Sequence, residues 1–297
     1  MNKGKNLRSV GVHDGTFHAD EVTACALLLL FDLVDKDKIV RTRDPEKLAK
    51  CEFVCDVGGV YHPERKLFDH HQVEYQGDLS SAGMILKYLK YKGVITEAQY
   101  KFYNQSFVIG VDAIDNGKVK PVMGFASFSQ VISNFTPIEY NSTSEEENKA
   151  FHKALDFVYF YLQQLKKRYL YHLDCRQVVE KKMQEHASDS CLVFEKSIAW
   201  LESFFELGGE QHPAQFVIMP SGKHWKLRGI PPSYEDRMSV RIPLPQEWAG
   251  LIDEDIKRIS GIPGAIFCHK GRFISVWETQ KDAVQALEYT LNQMEKL

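Results

Sequence analysis

The 297-residue chain predicts an α/β fold: a mainly parallel sheet flanked by helices, long connecting helices, and a second, smaller α/β domain. Three observations carry that expectation. Strand-like and helix-like runs alternate over roughly the first 70 residues, the signature of parallel strands joined by crossovers. The pattern then turns helical to about residue 187. Strand-like runs return from about 190, so the expected domains are 1–187 and 190–297.

The elements follow in order. "LRSVGV" (7–12) reads as a short buried strand. "ADEVTACALLLLFDLV" (19–34) is apolar on more than one side, which predicts a well-buried helix. "KIVRTR" (38–43) is strand-like, and "PEKLAK" (45–50) is a short helix opened by proline. "EFVCDV" (52–57) is a strand running into Gly58 and Gly59, and "KLF" (66–68) is another. Helices are expected at 80–91, behind a serine cap, and at 96–115. A polar interval (136–148) leads to a capless helical stretch (149–187), one or two helices bridging the domains. Strands are then expected in "SCLVFE", "AQFVIMP" and "WKLRGIP". "GAIFCHKGRFISVWET" reads as two strands folded about Lys270-Gly271, and 280–296 as a last amphipathic helix.

With 44% hydrophobic and 26% charged residues, the chain can bury a sizeable core without staples. The net charge of −3 does not advertise a polyanion binder, so any such ligand would need a local basic patch or bound metal. Six scattered cysteines read as reduced, mostly buried thiols. The longest apolar stretch, Ala24 to Phe31, is too short to span a bilayer, and the first residues carry no apolar signal core. The expectation is a cytoplasmic protein without a membrane partner.

Four places carry metal-competent side chains: His13, His18 and Asp20, with Glu21 behind, in "HDGTFHADE"; Asp56 in "CDVGG"; Asp69, His70 and His71 in "FDHHQ"; and Asp112, with Asp115 nearby, in "IGVDAIDNG". The first three stand at the C-terminal ends of expected strands, where open α/β sheets bind ligands. Imidazole with carboxylate suits divalent Mn, Mg, Fe or Zn ions, and the absence of cysteine disfavours a structural zinc site. So many ligands suit two ions about 3.5–4 Å apart, bridged by a carboxylate for which Asp56 is the candidate.

"FDHHQ" resembles motif III of the DHH phosphoesterase superfamily, which includes RecJ-type exonucleases, oligoribonuclease-type enzymes and manganese inorganic pyrophosphatases. The closer resemblance is to its MYG (melanocyte proliferating gene) branch, in "HDGTFHADE", "DVGGVYHP", "DHHQ" and "VDAIDNG". It continues through Asn134, "WKLRGIP", "LPQEWAGL" and "SGIPGAIFCHKGRF" over nearly the whole chain. It implies a DHH-type domain holding two divalent ions, Mn2+ favoured, with Mg2+ or others possible. His13, His18 and Asp56 would hold one ion; Asp20, Asp56, His70 and Asp112 the other. His71 would act on the substrate phosphate, and Asp69 would orient a histidine from behind the ligands. Asn134, Arg228, Arg241, His269, Lys270 and Arg272 would bind substrate, and Trp225, Trp248 and Phe273 are candidates to stack on bases. One departure is the segment "HKGRFISVWET", which lacks the superfamily's glycine run.

The expected function is therefore metal-dependent phosphodiester hydrolysis. The favoured form is an exonuclease on short or single-stranded nucleic acid, RNA and 3′→5′ polarity favoured, with the second domain closing as a lid. A pyrophosphatase or small phosphoester hydrolase is the alternative within the class, and a non-catalytic metal-containing regulatory protein the alternative outside it.

Overall fold

The computed structural model describes residues 5–237 and 239–294. Two compact units divide the chain, Met1–Tyr169 and Leu170–Leu297. The expected change of domain lay at 187–190; the division falls instead within a long helix.

The first unit is built on a five-stranded sheet. Its elements begin with β1 (Asn6–Val12), α1 (Ala19–Leu30), β2 (Ile39–Arg41), α2 (Pro45–Leu48) and β3 (Cys51–Cys55), followed by β4 (Tyr61–His62) and β5 (Leu67–Phe68). The strand order is β2-β1-β3-β5-β4. The first four run parallel, and the two-residue β4 pairs antiparallel with β5 at the edge. Helix α1 is buried without a break from Ala19 to Leu28, as its apolar run dictates. It packs against α3 (Ser81–Tyr91) over the sheet.

Downstream, α4 (Glu97–Tyr103) passes through a π segment (Asn104–Val108) into α5 (Ile109–Asp115) without a break. A short α6 (Phe128–Ser133) and the 42-residue α7 (Ser144–Glu185) complete the unit and lead out of it. At 1.5 Å per residue α7 is about 63 Å long. The polar interval contributes its first turns. Thr143 accepts from the Glu146 amide, and its own amide and hydroxyl donate to the Glu146 carboxylate, so the helix read as capless has a capping box.

The second unit holds β6 (Cys191–Val193), α8 (Leu201–Glu206), β7 (Phe216–Ser221) and β8 (His224–Gly229), then α9 (Asp253–Ser260), β9 (Ala265–Cys268), β10 (Ile274–Trp277) and α10 (Gln280–Met294). Its sheet order is β6-β7-β8-β10-β9, parallel only between β6 and β7. The strands β9 and β10 pair antiparallel about Lys270-Gly271, as expected. Trp248 and Trp277 are wholly buried in this core with ring centroids 5.5 Å apart. Trp248 is therefore a core residue and cannot stack on a base. The last residues assigned to the final helix, 295 and 296, lie outside the described residues. All six cysteines are buried and unpaired.

Candidate metal centre

The parallel strands of the first unit deliver their loops to one edge of the sheet. His13 follows β1, Asp56 follows β3, and Asp69, His70 and His71 follow β5. Helix α1 opens with His18 at its N-cap and Asp20 and Glu21 in its first turn, and α5 closes on Asp115.

Asp56 lies at the middle. Its Oδ2 is 3.2 Å from His13 Nε2, and its Oδ1 is 3.3 Å from His70 Nε2. One carboxylate thus faces two histidines, one oxygen to each. The backbone is bent to put it there. Asp56 has φ 58°, in the left-handed region, and Gly58 and Gly59 follow at φ 97° and 66°. The turn is held by Asp56 N donating to the Phe68 carbonyl and Gly59 N donating to Asp69 Oδ2.

Ligand-competent atoms converge in three overlapping groups, each with its atoms within 4.8 Å of one another: His13, His18, Glu21 and Asp56; Asp56, His70 and His71; Asp20, His70 and Asp115. Asp56 joins the first two and His70 the last two. A cavity of about 620 Å3 opens onto His13, His18, Asp56, Asp69 and His71, with Arg43 and Gln72 also in its wall. The far face of the sheet has a cavity of about 510 Å3 over Leu48, Val54 and Val57, with no histidine in its lining.

The electrostatics demand positive charge. Asp20 is wholly buried, and neither of its oxygens accepts a hydrogen bond. Burial, reinforced by Asp56, Glu21 and Asp115, pushes its pKa well up. Burial likewise raises Asp115, and Asp56 adds to the shift, although His70 opposes it. Burial works against charge on His13, yet Asp56 and Glu21 outweigh it and hold its pKa at about 10. For Asp56 the two histidines overcome burial and pull the pKa down. Ionised together, Asp20, Glu21, Asp56 and Asp115 carry a formal −4, which two divalent cations match. Mixed imidazole and carboxylate donors, with buried oxygens lacking hydrogen bonds, fit such ions.

His71 differs from His70. Its side chain is 64% exposed, and its Nδ1 is 2.8 Å from Asp69 Oδ1. Asp69 is buried and also accepts from Gly59 N and His71 N, so it fixes the ring that reaches the cavity.

Asp112 does not join the cluster. Its Oδ1 accepts from Ser80 N (3.0 Å), Ser80 Oγ (2.7 Å) and Gly83 N (3.0 Å), which ties α5 to the start of α3. A Cβ at Gly83 would lie 2.2 Å from the other Asp112 oxygen, so the glycine makes room for this contact. Asp115, one turn on, reaches His70 Nε2 at 3.2 Å in its place. Glu21, set behind the candidate ligands by the sequence reading, stands in the first group. The signal for it was present: three residues after an N-cap, it accepts from His18 N, and its Oε1 lies 3.2 Å from His13 Nε2.

The expected substrate contacts fare unevenly. Asn134 is an exposed residue at the end of α6. In the second unit, Arg241 donates to the carbonyls of Pro231, His212, Ala214 and Gly209. That guanidinium is spent on the fold and is not free for a phosphate. Arg272 donates to Leu244 O, and His269 accepts from Gly271 N while packing on Phe273. Lys270 is exposed, and the buried Nε of Arg228 has no partner.

The family MYG1_exonuc, described as uncharacterised protein family UPF0160, matches over residues 9–291. The MYG1 protein of Chlamydia trachomatis is 52% identical over 286 residues, covering 96% of this chain and 97% of its own. The MYG1 exonuclease of Rattus norvegicus is 34% identical over 325 residues, covering 96% and 84%. Among solved structures, RecJ in complex with Mn2+ from Thermus thermophilus aligns over 98% of this chain and 52% of its own. Its identity is 14% and its TM-score 0.26, too low to bear on the fold.

Proposed function

This chain belongs to the MYG1_exonuc family, and from that premise we propose that it is a metal-dependent phosphodiester hydrolase, working as an exonuclease on short or single-stranded nucleic acid. The observation that carries the proposal is Asp56, which presents one oxygen to His13 and the other to His70 beside the unpartnered carboxylate of Asp20. That arrangement suits two ions sharing one ligand: His13, His18, Glu21 and Asp56 gather for one, Asp20, His70 and Asp115 for the other, and Asp56 Oδ1, 3.3 Å from His70 Nε2, would serve the second as well. Bound there, divalent ions would supply Lewis acidity to the phosphoryl oxygens and acidify the attacking water.

The chain's own groups do the rest. His71, held by Asp69, donates to the phosphoryl or leaving oxygen as charge builds on it. Arg43, 64% exposed in the cavity wall, offsets charge on the phosphate. Arg228 and Lys270 are the second unit's proposed contacts to substrate. Relatives named as exonucleases support the reaction class. RNA as substrate, 3′→5′ polarity and Mn2+ rest on the family resemblance, and a cytoplasmic setting on the sequence. Among the described residues no helix is long and apolar enough to cross a membrane.

Protein stripped by chelation and reloaded with Mn2+ should hydrolyse single-stranded oligonucleotides from an unblocked end, releasing mononucleotides. RNA, DNA, circular and end-blocked substrates fix the preference. Efficient cutting of circles would sink the exonuclease reading, and turnover of pyrophosphate alone would replace it with a pyrophosphatase. Asp56→Ala should lower occupancy at both metal positions, read by metal content of the purified protein.

A further inference from the structure

Between the cluster residue Asp115 and α6 the chain makes a turn with apolar side chains in solvent. Val119 is 49% exposed, Val122 59%, Met123 98% and Phe125 75%. Scattered apolar side chains on a surface are ordinary, but a run of them in one turn marks a contact. The turn is also ordered. Val122 and Phe125 pair as an isolated antiparallel bridge, and Gly124 closes it with φ 81°.

One foot of the turn adjoins the cluster residue Asp115, and the other opens α6. At one, Asn116 Nδ2 donates to the carbonyls of Asp78 and Asp112, and Lys118 pairs with Asp78. At the other, Ser127 caps α6, and Phe128 packs edge-on to Phe107 at 4.6 Å. Helix α6 lies against α1 and α5, which carry Asp20, Glu21 and Asp115. Met123 is five residues from Lys118, at most about 18 Å of extended chain.

Charge selects the occupant. Residues 116–138 contain no aspartate or glutamate, and Lys118 and Lys120 precede the turn. Among the described residues Lys120 has no ion-pair partner. An exposed tip with one aromatic ring, Phe125, next to the unpaired Lys120 matches a single nucleic-acid strand, which offers base faces and phosphates together. We propose that residues 118–126 form a stacking platform for the bases of a single-stranded substrate, behind the phosphate held at the metal centre. This rests on the nuclease reading above.

The test uses the full chain and two substrates. Phe125→Ala combined with Met123→Ala should raise KM for a single-stranded oligonucleotide about tenfold, the scale of losing one stacked base. Turnover of bis(4-nitrophenyl) phosphate, too small to reach the turn, should be unchanged, which also shows that the site has folded. Phe125→Trp should restore the oligonucleotide KM, and its fluorescence should be quenched when a phosphorothioate octanucleotide binds. An unchanged KM in the double variant would overturn the platform. So would unchanged octanucleotide affinity accompanied by a shift from dimer to monomer, which would give the turn to a second copy of the chain. Wild-type protein that turns over no oligonucleotide would defeat the nuclease reading. In that case octanucleotide affinity still decides: loss in the variant alone sustains the platform, and equal affinity or none in both proteins overturns it.

Discussion

Replacing Asp112 and Asp115 in turn separates a structural acid from the proposed ligand three residues away. Asp112→Ala removes the acceptor of three hydrogen bonds and strands buried donors of Ser80 and Gly83. At about 1–1.5 kcal/mol each, the loss is about 3–4.5 kcal/mol. For a unit of this size it should lower the unfolding midpoint by roughly 6–18 °C. Asp112→Asn keeps an acceptor oxygen in place and should cost about 1 kcal/mol or less. Asp115→Asn should behave in the opposite way. In chelated protein it removes one of the carboxylates that crowd Asp20, so stability should hold or rise. In reloaded protein it should lose metal beside His70 and with it most activity. Thermal unfolding of the chelated proteins and metal analysis of the reloaded ones read both effects. Loss of metal from Asp112→Asn with full retention in Asp115→Asn would refute the assignment.

Three further outcomes test the same geometry. His71→Ala should keep its metal while slowing turnover about 100-fold or more, whereas His70→Ala should lose metal; equal metal content and equal rates would erase the distinction between them. His13 is held at a pKa of about 10, above its unfolded value, so its protonated form stabilises the chelated protein fully below about pH 6.5 and ceases to as pH rises through 10. The midpoint difference between wild type and His13→Asn should accordingly shrink from pH 6 to pH 10, and a difference that grew would reverse the sign argued here. Arg241→Ala should destabilise the second unit by about 2–4 kcal/mol, since it strips four carbonyls of their donor, and should leave KM unaltered; a raised KM at unchanged stability would return Arg241 to the substrate.

Strands β1, β2, β3 and β5 were legible because each is a short apolar run ended by glycine or a polar turn. Lost from view were β4, Tyr61–His62, which carries no apolar run, and the short helices α6, α8 and α9. The convergence of His13, Asp56 and His70 was readable from shared strand ends. Choosing between Asp112 and Asp115 was not. Both lie on one face of α5 by their spacing. Moreover, the π segment at Asn104–Val108 adds a residue to one turn, which rotates everything after it by about 100° relative to a regular helix. Only the packed structure shows which acid meets Ser80. The role of Arg241 was hidden for another reason. Its four acceptors come from Gly209, His212, Ala214 and Pro231, carbonyls that no side-chain pattern reports.

The left-handed backbone at Asp56 leaves that position without a neutral neighbour in sequence space. Aspartate and asparagine tolerate positive φ better than most residues, and glycine tolerates it best. Glutamate would keep the charge, but it carries the carboxylate one carbon farther and fits the backbone less well. Asparagine would keep the backbone and lose the charge that faces both histidines. Glycine would relax the turn and remove the ligand altogether. Each single step away thus surrenders either the curve of the chain or the chemistry, so drift at this codon has nowhere harmless to go.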